Sequence, residues 1–83
     1  MKKIFLSGNY IVFSVNGREL DYPKSMTYFF TDGVNFRIKK TFGGEFRILF
    51  AEVERGSWFE GNGVTPFTVE TLTTFLRNNT AAI

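Results

Sequence analysis

Cysteine and histidine are both absent from the 83 residues, so disulfides, thiolate chemistry and imidazole bases or metal ligands are excluded. Long apolar runs are missing too. No stretch approaches the roughly 18 apolar residues that a membrane-spanning helix needs. Met1-Lys2-Lys3 has the charge of a signal-peptide start, but Ile4-Phe5-Leu6 stops at Ser7-Gly8-Asn9, far too early for the apolar segment of such a peptide. A strong excess of one charge is also lacking. Ten Lys and Arg against eight Asp and Glu leave +2, too little to announce a nucleic-acid partner. What is abundant is phenylalanine, 11 residues beside 3 Tyr and 1 Trp, and an apolar fraction of 43% excludes a disordered chain. The length allows one domain, 1–83.

Tight-turn signals punctuate the first half: Gly8-Asn9, Asn16-Gly17, Asp32-Gly33 and Gly43-Gly44. Runs rich in Phe, Ile, Val, Tyr and Thr lie between them, and these residues suit a pleated surface. The pattern predicts strands near 2–7, 10–15, 18–22, 25–31, 34–40 and 45–54, with Pro23 breaking the third from the fourth.

Turn position sets register, and register sets faces. Gly8-Asn9 places Leu6 opposite Ile11 and Ile4 opposite Phe13; Asn16-Gly17 places Phe13 opposite Leu20 and Ile11 opposite Tyr22. The other side of these hairpins carries Phe5, Val12 and Asp21. A two-residue loop at Asp32-Gly33 sets Phe29 opposite Phe36. One at Gly43-Gly44 sets Leu49 on Ile38, Ala51 on Phe36 and Val53 on Val34. The expected inner face is then Phe29, Val34, Phe36, Ile38, Leu49, Ala51 and Val53.

Residues 55–65 form a Gly-rich loop, and residues 66–78 a helix with Thr65 or Thr68 as its cap and Pro66 in the first turn. Val69, Leu72 and Leu76, with Phe75 alongside, make one apolar stripe. The expected fold is α+β: a six-strand antiparallel β-meander over 1–54 with one amphipathic C-terminal helix packed on its apolar face.

Chemistry is sparse. Glu52 and Glu54 alternate along one strand as a solvated face does, Asp32 is a turn residue, and the serines have no base beside them. Gly61-Asn62-Gly63 lacks the Lys of a P-loop and reads as a turn. No catalytic residue, metal site or cofactor is expected. The reverse face of the central sheet differs from the rest. It gathers Tyr28, Phe30, Arg37, Lys39 and Phe50. Three readings stand for it: a second core, a protein interface, or a platform that stacks bases and neutralises phosphate. Trp58 and Phe59, between Gly56 and Gly61, are expected to be partner contacts, with Trp58 as a plug beneath the helix the competing reading.

Pro66-Phe67-Thr68, Thr71-Leu72, Phe75-Leu76 and Asn79-Thr80, after the strand from Phe46 to Val53 and the Trp58 loop, resemble an ending common in small structural and accessory proteins of bacteriophages. The resemblance spans roughly residues 45–80 and carries no catalytic residues. It implies a viral protein, located in the virion or else in the host cytoplasm. The resulting expectation is a non-enzymatic minor virion component that contacts other virion proteins or itself as a homo-oligomer. The alternative is a single-stranded nucleic-acid-binding protein using Tyr28, Phe30, Arg37, Lys39 and Phe50.

Overall fold

Residues 2–55 and 66–81 are described by a computed structural model. They form β1 (Lys2–Ser7), β2 (Tyr10–Val15), β3 (Arg18–Pro23), β4 (Thr27–Thr31), β5 (Asn35–Lys40), β6 (Glu45–Leu49) and α1 (Val69–Asn78), with 3-10 turns at Lys24–Met26 and Phe50–Glu52. The architecture is α+β. The strands make two antiparallel sheets of three, β1-β2-β3 and β4-β5-β6, not one six-strand meander.

The division has a local cause. Pro23 has no amide hydrogen to extend a ladder, and the chain turns through Lys24–Met26 directly after it. The Lys24 N–H bonds the Asn9 carbonyl at 2.9 Å, and the hydroxyl of fully buried Thr27 donates to the Pro23 carbonyl. β4 therefore leaves β3 instead of pairing with it.

The first sheet has the expected register. Leu6 pairs with Ile11, Ile4 with Phe13, Phe13 with Leu20 and Ile11 with Tyr22. Asn16 and Gly17 both take positive φ, 51° and 83°, as a two-residue hairpin loop requires. Two side chains depart from expectation. Leu6 is exposed at the hairpin end, and Val12 is buried although it points away from Ile11 and Phe13, so the central strand is covered on both sides there.

The second sheet has other registers. Phe29 pairs with Ile38 and Thr31 with Phe36, two residues from the expected pairing. The Asp32 carboxylate accepts the N–H of Val34 at 2.9 Å and of Asn35 at 2.7 Å, so the loop residues are Gly33 and Val34. An even shift preserves the faces. The next hairpin is shifted by three. Phe36 pairs with Ile48, Ile38 with Phe46 and Arg37 with Arg47, because the Lys40 N–H bonds the Gly44 carbonyl and the loop is Thr41-Phe42-Gly43. An odd shift turns β6 over. Phe46 and Ile48 face inward, while Leu49, assigned to the core by sequence, is 42% exposed.

β6 also ends at Leu49, earlier than expected. The Glu52 carboxylate accepts the Leu49 N–H and pairs with Lys2 at 2.8 Å, which holds the Phe50–Glu52 turn. Ala51 and Val34 are exposed, and Val53 is buried, bridged in parallel to Lys2.

One core joins the sheets and helix: Ile4, Ile11, Phe13 and Tyr22 from the first sheet, Phe36, Ile38 and Ile48 from the second, and Leu72, Phe75 and Leu76 from α1. The Phe13 ring lies 5.2 Å from Tyr22 and 4.9 Å from Phe46, so the sheets meet face to face at this point. The Lys40 ammonium sits 4.5 Å from the Tyr22 ring centroid across the same junction.

α1 begins three residues later than the earliest expected start. Thr68, not Thr65, is the cap. Its hydroxyl accepts the Thr71 N–H at 3.1 Å, and the Thr71 hydroxyl lies 2.9 Å from the Thr68 N–H and donates to the Pro66 carbonyl. Pro66 thus precedes the helix. Thr68→Ala is expected to cost about 1 kcal/mol in urea denaturation, the usual loss for a hydroxyl cap; a change below a few tenths would mean that the cap is idle. At the far end Asn79 and Thr80 side chains bond the Phe75 and Leu76 carbonyls, and the Ala81 N–H bonds the Thr27 carbonyl at 2.7 Å.

Candidate binding face

The two registers of the second sheet decide what its outer side presents. Alternation puts Tyr28 and Phe30 of β4, Asn35, Arg37 and Lys39 of β5, and Glu45, Arg47 and Leu49 of β6 on one side. Cross-strand rows run Phe30, Arg37, Arg47 and Tyr28, Lys39, Glu45. The Phe30 and Tyr28 rings meet edge to face at 6.1 Å, and the Lys39 ammonium stands 5.4 Å from the Phe30 centroid.

Among the described residues no strand or helix packs over this side: the first sheet and α1 use the inner one. Phe30 is 45% exposed, and Tyr28 is half-buried. The second-core reading fails here. Four sequence-assigned residues, Tyr28, Phe30, Arg37 and Lys39, do come together. Phe50 does not. With β6 turned over and ended at Leu49, its ring goes to the core edge and stacks on Phe67 at 4.7 Å. Trp58 and Phe59 lie outside the described residues. Arg47 joins the face although sequence reasoning missed it. The signal was present, since an Arg between Phe46 and Ile48 in an alternating strand points outward.

Arg37 directly opposite Arg47 is repulsive on its own. Glu45 resolves it. Its carboxylate accepts from Arg37 Nε and, at 3.3 Å, from Arg47 Nε, with Arg37 Nη2 at 3.4 Å from the second oxygen. The Arg37 hydrogen bond is the chief reason that the Glu45 carboxyl is lowered from 4.5 to about 2. A carboxyl lowered on folding stabilises the fold above its ordinary pKa, and that contribution is lost as pH falls from 4.5 toward about 2. Glu45→Gln is expected to flatten the melting temperature against pH in that window. An unchanged slope would show that Glu45 is not held by the arginines.

Beside this clamp, Phe30, Thr31, Asp32, Asn35 and Arg37 line a shallow, open concavity of about 240 Å³. Among the described residues no group of three or more carboxylates stands close enough to hold a metal ion. The arrangement is suited to contact: exposed aromatic and aliphatic area, guanidinium donors in a braced geometry, and three cations beside the two carboxylates of Glu45 and Asp32. No family model, curated protein or solved structure matches the chain.

Proposed function

We propose that the protein is a non-enzymatic binding component of a bacteriophage particle, holding an acidic surface of a neighbouring virion protein against the outer face of its second sheet. One observation carries the reading. Of seven exposed large apolar side chains among the described residues, five belong to the second sheet and its flanking turns: Met26, Phe30, Val34, Phe42 and Leu49. Aromatics, Met and Arg are the residues enriched in protein interfaces. Charge points to the kind of neighbour, since Arg37, Lys39 and Arg47 outnumber Glu45 and Asp32 on this face. The viral setting rests on the phage-like ending from Pro66 to Thr80.

Mass spectrometry of purified particles tests it. The chain is expected in wild-type particles and depleted in particles made with Phe30→Asp, a variant expected to fold because Phe30 is 45% exposed. Absence from wild-type particles defeats the reading.

A second reading has its own support. The interleaving of Tyr28 and Phe30 with Arg37, Lys39 and Arg47 also matches a surface that stacks single-stranded bases and neutralises phosphate. With three such contacts, affinity for oligo-dT would fall about 20-fold for a fourfold rise in salt, whereas an apolar protein contact would change little.

A further inference from the structure

We infer that the free edge of β6 pairs with β6 of a second copy of this chain, in a register that sets Glu45 of each copy opposite Arg47 of the other. The inference rests on the strand edge and is independent of what docks on the outer face.

β6 is the last strand of its sheet. The Phe50 N–H bonds the Val34 carbonyl at 2.8 Å and the Lys40 N–H bonds the Gly44 carbonyl at 3.3 Å, so the even-numbered backbone groups point to β5. Those of Glu45, Arg47 and Leu49 point outward. The Leu49 N–H is met by the Glu52 carboxylate. Among the described residues none meets the backbone of Glu45 or Arg47. Other edges are partly occupied or lack paired charges. Lys2 of β1 is bridged to Val53; Thr27 of β4 accepts from Ala81, and the outward Phe29 and Thr31 of that strand carry no charge; β3 is charged at Arg18, Glu19 and Asp21 and ends in Pro23.

Two copies related by a two-fold axis pair antiparallel along this edge, and outward residues must meet outward residues. Registers centred on the strand set Glu45 against Glu45, Arg47 against Arg47, Glu45 against Arg47, or Arg47 against Leu49. The first two oppose like charges, and only the third pairs opposite ones. The Arg47 side chain is 74% exposed, leaving it able to reach across. The same register places Gly43 beside Leu49 of the other copy. Leu49, 42% exposed, is then covered by the backbone of the other copy's loop, next to the 83% exposed Phe42. The outer face is a poor alternative for self-association, because its cation excess would repel itself.

Sedimentation equilibrium is expected to show the mass rising with concentration from 9.5 kDa toward about twice that value. Arg47→Pro removes an N–H that points away from β5, so the chain's own ladder survives. It is expected to weaken the dimer at least about tenfold with an unchanged circular-dichroism spectrum. Arg47→Glu, which sets Glu against Glu, serves if the Pro variant does not fold. In wild-type protein, exchange of the Arg47 amide is expected to slow with concentration, while that of Ile48, already bonded to β5, does not. A monomer at all concentrations up to millimolar overturns the inference. So does a dimer that the folded variants leave intact, or one in which the Arg47 amide stays unprotected.

Discussion

Leu72→Asp is expected to leave the chain unfolded at neutral pH. Leu72 is fully buried on α1, in the cluster that also holds Phe75, Leu76, Ile4 and Phe36. Removing a buried Leu side chain costs about 2–5 kcal/mol. Placing a carboxylate in that apolar site adds a further penalty, and among the described residues the cluster holds no cation to offset it. The total is comparable with the roughly 5–15 kcal/mol of a whole domain. Thr74→Asp supplies the control. Thr74 is exposed on the opposite side of the same helix. Its replacement costs at most about 1 kcal/mol, including a few tenths from the Glu70 carboxylate one turn earlier. Thr73 is less suitable, because it is half-buried and its hydroxyl bonds the Val69 carbonyl at 2.7 Å. Urea titration followed by circular dichroism separates the two variants. Equal damage from both would place the helix in a different phase.

The helix was legible because its stripe is redundant. Leu72, Phe75 and Leu76 all agree on one face, so the choice between Thr65 and Thr68 as cap changes the start without rotating the helix. The first two hairpins were legible because Asn16-Gly17 is a turn of one type and one length. The second sheet shows where such reasoning runs out. The Asp32-Gly33 signal reads one residue early at each end, since the Asp32 carboxylate caps the loop from outside it. That error was harmless because it was even. Gly43-Gly44 was not harmless. Two adjacent glycines leave the loop length open, and the chain uses Gly43, at φ 139°, in a three-residue loop while Gly44 already belongs to the ladder. The apolar run Ile48-Leu49-Phe50 fits either orientation of the strand, so hydrophobic pattern alone did not correct the slip. Only the charges of Glu45 and Arg47, on the side expected to face the core, contradict it. The open face was therefore half legible, with the β4 and β5 residues correctly grouped and the β6 contribution inverted. The split into two sheets was signalled by Pro23. Its consequence depended on the turn after it and on the Thr27 hydroxyl, neither of which a propensity scale weighs.

Everything proposed for the second sheet requires β6 to turn Arg47 and Leu49 outward and Phe46 and Ile48 inward. The neighbouring pair Ile48 and Leu49 tests this most directly, because the two residues exchange places if the register is wrong by one. Ile48 is 2% exposed and packs on the common core, whereas Leu49 is 42% exposed beside Asn35. Urea denaturation of the two alanine variants is expected to show Ile48→Ala losing about 2–5 kcal/mol and Leu49→Ala less than about 1 kcal/mol. The reverse order, with Leu49→Ala the more damaging, would turn β6 over again, bury Arg47 and remove the open face.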